Sequence, residues 1–69
     1  MTPYSTLVSA EQTCHTIEIR EVAKGKTGVA NTQGDMVAVF YGADDGSDDK
    51  VITAEQFNRL FEITACIAG

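Results

Sequence analysis

The chain has 69 residues, of which 43% are hydrophobic and 22% charged, and its formal net charge is −5 at pH 7. A chain of this length supplies one small domain, residues 1–69, and leaves no room for a multi-domain enzyme or a doubly wound nucleotide-binding fold. Residues 1–34 are neutral overall, so residues 35–69 carry the whole excess of negative charge.

A short N-terminal helical turn is the first element that the sequence allows. The residues from Ser9 to Gln12 have the capping-box pattern, in which a hydroxyl and a side chain three residues later satisfy backbone N–H groups. The same pattern recurs from Thr53 to Gln56, where a longer helix is expected. We therefore allow a helical turn over residues 10–13.

Residues 14–23 predict the first strand. Ile17 and Ile19 alternate with charged residues, which is typical of a half-buried strand. Val22 breaks this alternation, and the break predicts a bulge near residues 20–21. The next predicted elements are a turn and a short strand, at residues 24–28 and 29–30.

The run from Met36 to Tyr41 predicts a second long strand. Its six residues are all apolar, and several are β-branched or aromatic. An unbroken apolar run indicates burial on both faces, so we expect a central strand covered by a helix. Residues 43–50 then predict a polar loop, and residues 50–52 a short strand that pairs back.

A helix beginning after Thr53 is the clearest local prediction. Thr53 suits the N-cap position, and Gln56 completes the capping box. Ile52 and Phe57 are placed to pack together across the helix start. The side chains expected on the buried face recur at helical spacing: Phe57, Leu60, Phe61 and Thr64.

The end of this helix is less well defined by the sequence. Residues 63–68 are mostly apolar, which suits either a buried last helical turn or a short closing strand. We expect helix as far as Cys66. Together the elements predict an α+β fold, in which a small antiparallel sheet of three to four strands is packed by one C-terminal helix.

An acidic segment follows the predicted strand 36–41. Its four aspartates are Asp44, Asp45, Asp48 and Asp49. We interpret them as a partner-facing patch, with Tyr41 beside them as an aromatic anchor. Two other interpretations stay open: a solvated loop that discourages edge association, and weak, non-specific cation binding. A calcium loop of the EF-hand type is disfavoured, because Gly46 would fall at a ligand position and a strand precedes the segment.

No catalytic residue, metal site or cofactor is predicted. Structural zinc needs four ligands, whereas the chain offers only Cys14, His15 and Cys66 in unsuitable spacing. A cysteine nucleophile needs a histidine within hydrogen-bonding reach, which nothing in the sequence requires. The glycine that a phosphate-binding loop needs ahead of Lys26 is replaced by Arg20. We therefore expect a protein that is not an enzyme.

The two cysteines lie near opposite ends of the chain. A bond between Cys14 and Cys66 would close a long loop and stabilise so small a domain. The first residues lack the features of an export signal, so we expect a cytoplasmic protein with reduced, buried thiols.

The segment from Gly34 to Phe40, followed by an acidic turn and then by the residues from Val51 to Phe57, resembles a module of small phage-encoded proteins. That module consists of Gly-Asp, an apolar strand, a turn, a second strand and a helix beginning Glu-x-Phe. Small size, acidity and the lack of a catalytic motif are also similar, in type, to anti-CRISPR proteins and other phage inhibitors of host defence. The resemblance implies a protein that docks on a host effector, and it carries over no functional residues.

The charge distribution indicates the partner class. Direct binding of DNA or RNA is disfavoured because it needs clustered lysines and arginines, and no segment is apolar and long enough to span a membrane. We expect a small acidic protein-binding module of the phage-inhibitor type, which docks in the host cytoplasm on a host protein with a basic, nucleic-acid-handling surface. The alternative is a phage structural or assembly subunit that self-associates through a strand edge or residues 63–68, so a homo-oligomer stays open.

Overall fold

The described residues form one antiparallel sheet, and two helices pack on one of its faces. The computed structural model describes residues 1–42 and 49–68. The elements in chain order are α1 (Pro3–Ala10), β1 (Thr16–Glu21), β2 (Lys26–Gln33), β3 (Met36–Phe40), β4 (Lys50–Thr53), α2 (Ala54–Leu60) and β5 (Phe61–Ile67). The five strands form one sheet in the order β4-β3-β2-β1-β5, and every neighbouring pair is antiparallel. The predicted α+β class is confirmed. The described residues form five strands and two helices, where the sequence predicted three to four strands, one C-terminal helix and a short N-terminal helical turn.

Both helices begin at a capping box. The backbone N–H of Gln56 donates to Thr53 Oγ1 at 3.0 Å, and the N–H of Thr53 donates to Gln56 Oε1 at 3.2 Å, which confirms the predicted start of α2. A second capping box joins Thr2 and Ser5 ahead of α1, with Pro3 at the first helical position. The N-terminal helix is therefore longer and earlier than the predicted turn, although hydrogen-bonded turns continue through residues 11–13.

The predicted helix to Cys66 is wrong beyond Leu60. Residues from Phe61 to Ile67 form β5, which pairs along the whole of β1. Strand and helix both suit this apolar stretch locally, and the long-range partner decides between them because β1 offers an unpaired edge. Of the helical face that was expected, Phe57 and Phe61 are buried, whereas Leu60 and Thr64 are exposed.

The sheet contains a bulge, but not at the predicted position. Glu18 pairs with Ala65 while the next residue, Ile19, pairs with Ile63, so Thr64 is the additional residue. The irregularity therefore lies in β5 and not at residues 20–21 of β1. The predicted strand at residues 29–30 is the middle of the longer β2, which is the third of the five strands in the sheet order. β3 is an interior strand as expected, paired with β2 on one side and β4 on the other.

The β2–β3 hairpin is made by a two-residue turn. Gln33 pairs with Met36, and Gly34 adopts a φ of 62° while Asp35 does not have a positive φ. A glycine with positive φ at the first central position is the requirement of a type II′ turn, whose twist matches that of the strands. This turn aligns Val37 with Thr32, and it brings the apolar β3 against β2.

One face of the sheet is covered by the helices. Leu7 of α1 and Phe57 of α2 are fully buried against it. The sheet residues of this core are Ile17, Ile19, Ala30, Val37, Val39, Ile52 and Phe61. They alternate along their strands, as residues that share a face must. The backbone N–H of Tyr4 donates to Asn58 Oδ1 at 2.7 Å and ties the two helices together.

The expectation of reduced, buried thiols is wrong in this structure. Cys14 and Cys66 form a disulfide with their Cα atoms 5.5 Å apart, and Cys66 is exposed. The pairing of β5 with β1 places Cys66 opposite Ile17, close to the segment that connects α1 to β1. The bond therefore links the two ends of the chain through the edge of the sheet.

Candidate functional site

Two of the five predicted site residues, Tyr41 and Asp49, lie at the end of the sheet where β3 stops. Tyr41 follows β3 directly, and Asp49 precedes β4. The backbone N–H of Tyr41 donates to Asp49 Oδ1 at 3.3 Å, so the structure brings these two predicted residues together. The other three are Asp44, Asp45 and Asp48, and they lie outside the described residues.

Tyr41 is held from several directions at this end of the sheet. Its hydroxyl donates to Glu21 Oε1 at 3.0 Å, across the intervening strand β2. Lys26 Nζ lies 4.4 Å from the centre of the Tyr41 ring, and Lys50 Nζ lies 5.7 Å from it. Cations over an aromatic face are attracted by the ring quadrupole. Tyr41 is only half-buried, but its ring and hydroxyl are both engaged within the fold.

Gly28 makes room for this arrangement. A Cβ atom at position 28 would overlap the carbonyl oxygen of Phe40 and lie 3.2 Å from Tyr41 Cα. The chain leaving β3 therefore passes close to the backbone of β2 at Gly28. Directly after this close approach, the hydroxyl of Tyr41 reaches Glu21.

Glu21 is a buried charged residue at the Tyr41 end of the sheet. It is 7% exposed, and Lys24 Nζ stands 4.0 Å from its second carboxylate oxygen. A buried carboxylate without a partner would destabilise the fold, and here Tyr41 and Lys24 both face it. Three of the five basic residues of the chain, Lys24, Lys26 and Lys50, belong to this end of the sheet.

Tyr41, which precedes the acidic segment in the chain, therefore lies beside Lys26 and Lys50. Sequence reasoning missed this, because the antiparallel register that brings Glu21, Lys26, Tyr41 and Lys50 to one end involves three separate hairpins. The sequence feature that could have indicated this arrangement is the position of Glu21 and Lys26 on either side of residues 22–25, across which the structure pairs them. A surface of alternating sign can fix the orientation of a charged partner, whereas a purely negative one only attracts it.

A separate cleft lies where α1, the start of β1 and β2 meet. It has a volume of about 270 Å³ and includes Glu11, His15 and the Cys14 side of the disulfide. Both oxygens of the Glu11 carboxylate are engaged by Thr32, from its backbone N–H at 2.8 Å and its hydroxyl at 2.5 Å. The carboxylate thus replaces β1 as the partner of β2 beyond the last β1–β2 pair, Glu18 with Val29.

The described residues at the Tyr41 end and in this cleft do not form a cluster of metal ligands or a nucleophile with its base. Within residues 1–42 and 49–68, no group of three or more histidine, cysteine, aspartate or glutamate side chains is placed to hold a metal ion. Both cysteine sulfurs are taken up by the disulfide, so no described thiol is available as a nucleophile. The Tyr41 end offers charged and hydrogen-bonding groups that are held in place by contacts within the sheet.

In the described part of the chain, neither helix is long and apolar enough to cross a membrane. Comparison of the chain with protein-family models, with curated proteins and with solved structures finds no match.

Proposed function

We propose that this chain is a small acidic protein-binding module of the phage-inhibitor type, which docks on a basic, nucleic-acid-handling protein of the host. The observation that carries the proposal is the anchoring of the acidic segment. Tyr41 and Asp49, at its two ends, are joined by a hydrogen bond, and Tyr41 is in turn bonded to the buried Glu21. A segment whose ends are held loses less conformational entropy when it binds.

The charges favour a basic partner. The excess negative charge lies in residues 35–69, and aspartates between two held ends raise the local negative potential. Lys26 and Lys50, which lie over the Tyr41 ring, place positive charge next to the acidic patch. They would repel a basic partner that docked out of register. Tyr41 contributes through the position of its backbone and through the exposed part of its ring.

The location that this function requires is the cytoplasm of the host cell. Disulfides persist in oxidising compartments and are reduced in the cytosol. The proposal therefore requires that the chain stay folded when Cys14 and Cys66 are reduced. A reduced protein that is unfolded at the growth temperature of its host would contradict the cytoplasmic location.

The function is tested with two variants of equal charge. The chain is immobilised, the host protein that it captures is identified and purified, and association is measured for each variant. The first variant replaces the acidic segment: Asp44→Asn, Asp45→Asn, Asp48→Asn and Asp49→Asn. The second removes acids elsewhere: Glu18→Gln, Asp35→Asn, Glu55→Gln and Glu62→Gln. Each change takes the formal net charge from −5 to −1.

The segment variant is expected to associate at least about tenfold more slowly at low salt, because opposite charges steer the encounter. The matched variant is expected to stay near the wild-type rate. Equal losses in both variants would mean that only net charge matters, and unchanged binding of the segment variant would remove the acidic segment from the interface.

A second candidate function is a structural or assembly subunit that acts by self-association. The observation in its favour is that, among the described elements, both helices pack on the same face of the sheet. The other face is left without a covering layer by residues 1–42 and 49–68, and its side chains on β2, β3 and β4 are uncharged.

A further inference from the structure

The uncovered face of the sheet divides into an uncharged part and a charged part. The residues that alternate with the core on β2, β3 and β4 are Thr27, Val29, Asn31, Gln33, Met36, Ala38, Phe40, Val51 and Thr53. Not one of these is charged, although 22% of the chain is. The charged side chains of this face lie on β1 and β5: Glu18, Arg20 and Glu62. Depletion of charge is the compositional mark of the centre of a protein interface.

The apolar side chains of this face form one patch. Val29 pairs with Phe40, Ala38 pairs with Val51, and Met36 lies on the same face of β3. None of the five belongs to the core cluster that the helices cover. Val51 is 52% exposed, whereas Ala38 is 2% exposed although no described helix or strand lies above it. The patch is therefore continuous and not a set of isolated residues.

We propose that this face is a homodimer interface, in which a second copy of the chain packs its sheet against the first. The sheet residues Val29, Phe40 and Val51 form the centre, and the strip of Arg20, Glu18 and Glu62 forms the rim. Sheets that pack face to face interdigitate such side chains across about 10 Å. The contact is isologous, which means that both copies use the same patch. Each residue of the patch is therefore buried once in each copy.

The available area fits a second copy. The Cα atoms extend over 28 × 27 × 23 Å, and the accessible surface is 4242 Å². One broad face of a body with these proportions takes roughly one-fifth of that surface, or roughly 800 Å², which is what each partner contributes to an interface of standard size.

Charge also selects a second copy over a basic protein. Two chains of net charge −5 repel each other wherever their acidic parts meet, and the uncharged half of this face avoids that repulsion. The rim carries both signs, with Arg20 donating from Nε to Glu62 at 2.8 Å. A basic partner would be drawn to the acidic segment between β3 and β4 and would find no attracting charge on the apolar patch.

The test uses the same substitution at two exposed valines. Val51→Lys places a charge on the patch, and Val8→Lys places one on α1, where the wild-type valine is 40% exposed. Sedimentation equilibrium of the full chain from about 10 μM to about 1 mM measures the mass. Val29→Lys, on the central strand, separates face packing from pairing along a strand edge. Circular dichroism checks that each variant is folded.

We expect the wild type and Val8→Lys to dimerise, and Val51→Lys and Val29→Lys to dissociate at least about a hundredfold more readily, because symmetry places each change twice. Raising the salt from about 0.05 to about 0.5 M is expected to leave the dimer as tight or tighter, since screening reduces the repulsion between the copies. A wild type that is monomeric throughout, or a dimer that folded Val51→Lys or Val29→Lys leaves intact, would overturn the proposal. Loss of the dimer in Val8→Lys would do so too. None of these results depends on binding to a host protein, which salt is expected to weaken.

Discussion

Breaking the Cys14–Cys66 disulfide is expected to remove a large part of the stability of this domain. The bond joins residues separated by 52 positions in the chain. In the chain-entropy treatment, releasing a loop of this length costs about 4 kcal/mol of stability, because the unfolded chain regains its freedom. A domain of 69 residues has a total free energy of unfolding of only about 3–10 kcal/mol.

The structure adds a local reason for the same effect. β5 is an edge strand, held on one side by β1 and at its end by the hydrogen bond from the backbone N–H of His15 to the carbonyl of Ile67, at 2.7 Å. Beyond the bulge at Thr64, the disulfide ties the strand covalently to the segment that connects α1 to β1. Without that tie we expect Ala65 to Ile67 to separate from β1 first.

Thermal unfolding followed by circular dichroism measures the loss. For a domain of this size a change of 1 kcal/mol moves the Tm by about 4–8 °C, so reduction is expected to lower the Tm by roughly 15–30 °C. The double variant Cys14→Ala, Cys66→Ala should unfold near the same temperature, and reductant should not lower its Tm further. A fall of less than about 5 °C in both samples would refute the reasoning, because it would mean that the bond constrains the unfolded chain little.

Three single substitutions test the contacts at the Tyr41 end and at the start of α2, each by urea unfolding. Tyr41→Phe removes the donor to the buried Glu21 carboxylate and is expected to cost about 1–3 kcal/mol. Gly28→Ala forces a methyl group against the carbonyl of Phe40 and is expected to cost about 1–3 kcal/mol. Thr53→Ala removes the N-cap of α2, at about 1 kcal/mol.

The chain supplies matched controls for the first two. Tyr4→Phe removes a hydroxyl that has no hydrogen bond within residues 1–42 and 49–68, and it should change the stability by less than Tyr41→Phe does. Thr27→Ala alters an exposed residue beside Gly28 and should be nearly neutral. Equal effects within either pair would show that the named contact is not what stabilises the fold.

Local chemistry made part of the fold predictable. The capping box of Thr53 and Gln56 determines where α2 begins whatever surrounds it, and the apolar run from Met36 to Phe40 predicted the strand β3. The expected burial of both faces is met only in part, because the described helices cover the face of Val37 and Val39. Thr2, Pro3 and Ser5 hold an equally local signal for α1, which the repeated pattern at Ser9 obscured.

The rest depends on contacts between distant parts of the chain. Residues 61–67 suit helix or strand equally, and only the pairing with β1 makes them a strand. β2 contains Gly28 and Asn31, which disfavour strands, and it forms because it is paired on both sides. The disulfide follows from the same β1–β5 pairing, so it could not be predicted while that pairing was unknown.

The candidate site also has a part that the sequence predicts and a part that depends on long-range contacts. The aspartates and Tyr41 are evident as a cluster in the sequence, and the contact of Tyr41 with Asp49 agrees with their nearness in the chain. Glu21 and Lys26 join them only through the register of the sheet. The lysines change the interpretation of the segment from a simple negative patch to one whose base is positively charged.

The central claim is that the acidic segment, and not the net charge of the chain, recognises the partner. Its most direct test is the association rate of the captured host protein with the two charge-matched variants at low and high salt. The account predicts that the Asp44, Asp45, Asp48 and Asp49 variant binds at least about tenfold more slowly at low salt and loses most of its salt dependence, while the matched variant behaves like the wild type. A segment variant that associates at the wild-type rate, or a matched variant that is equally slow, would contradict it.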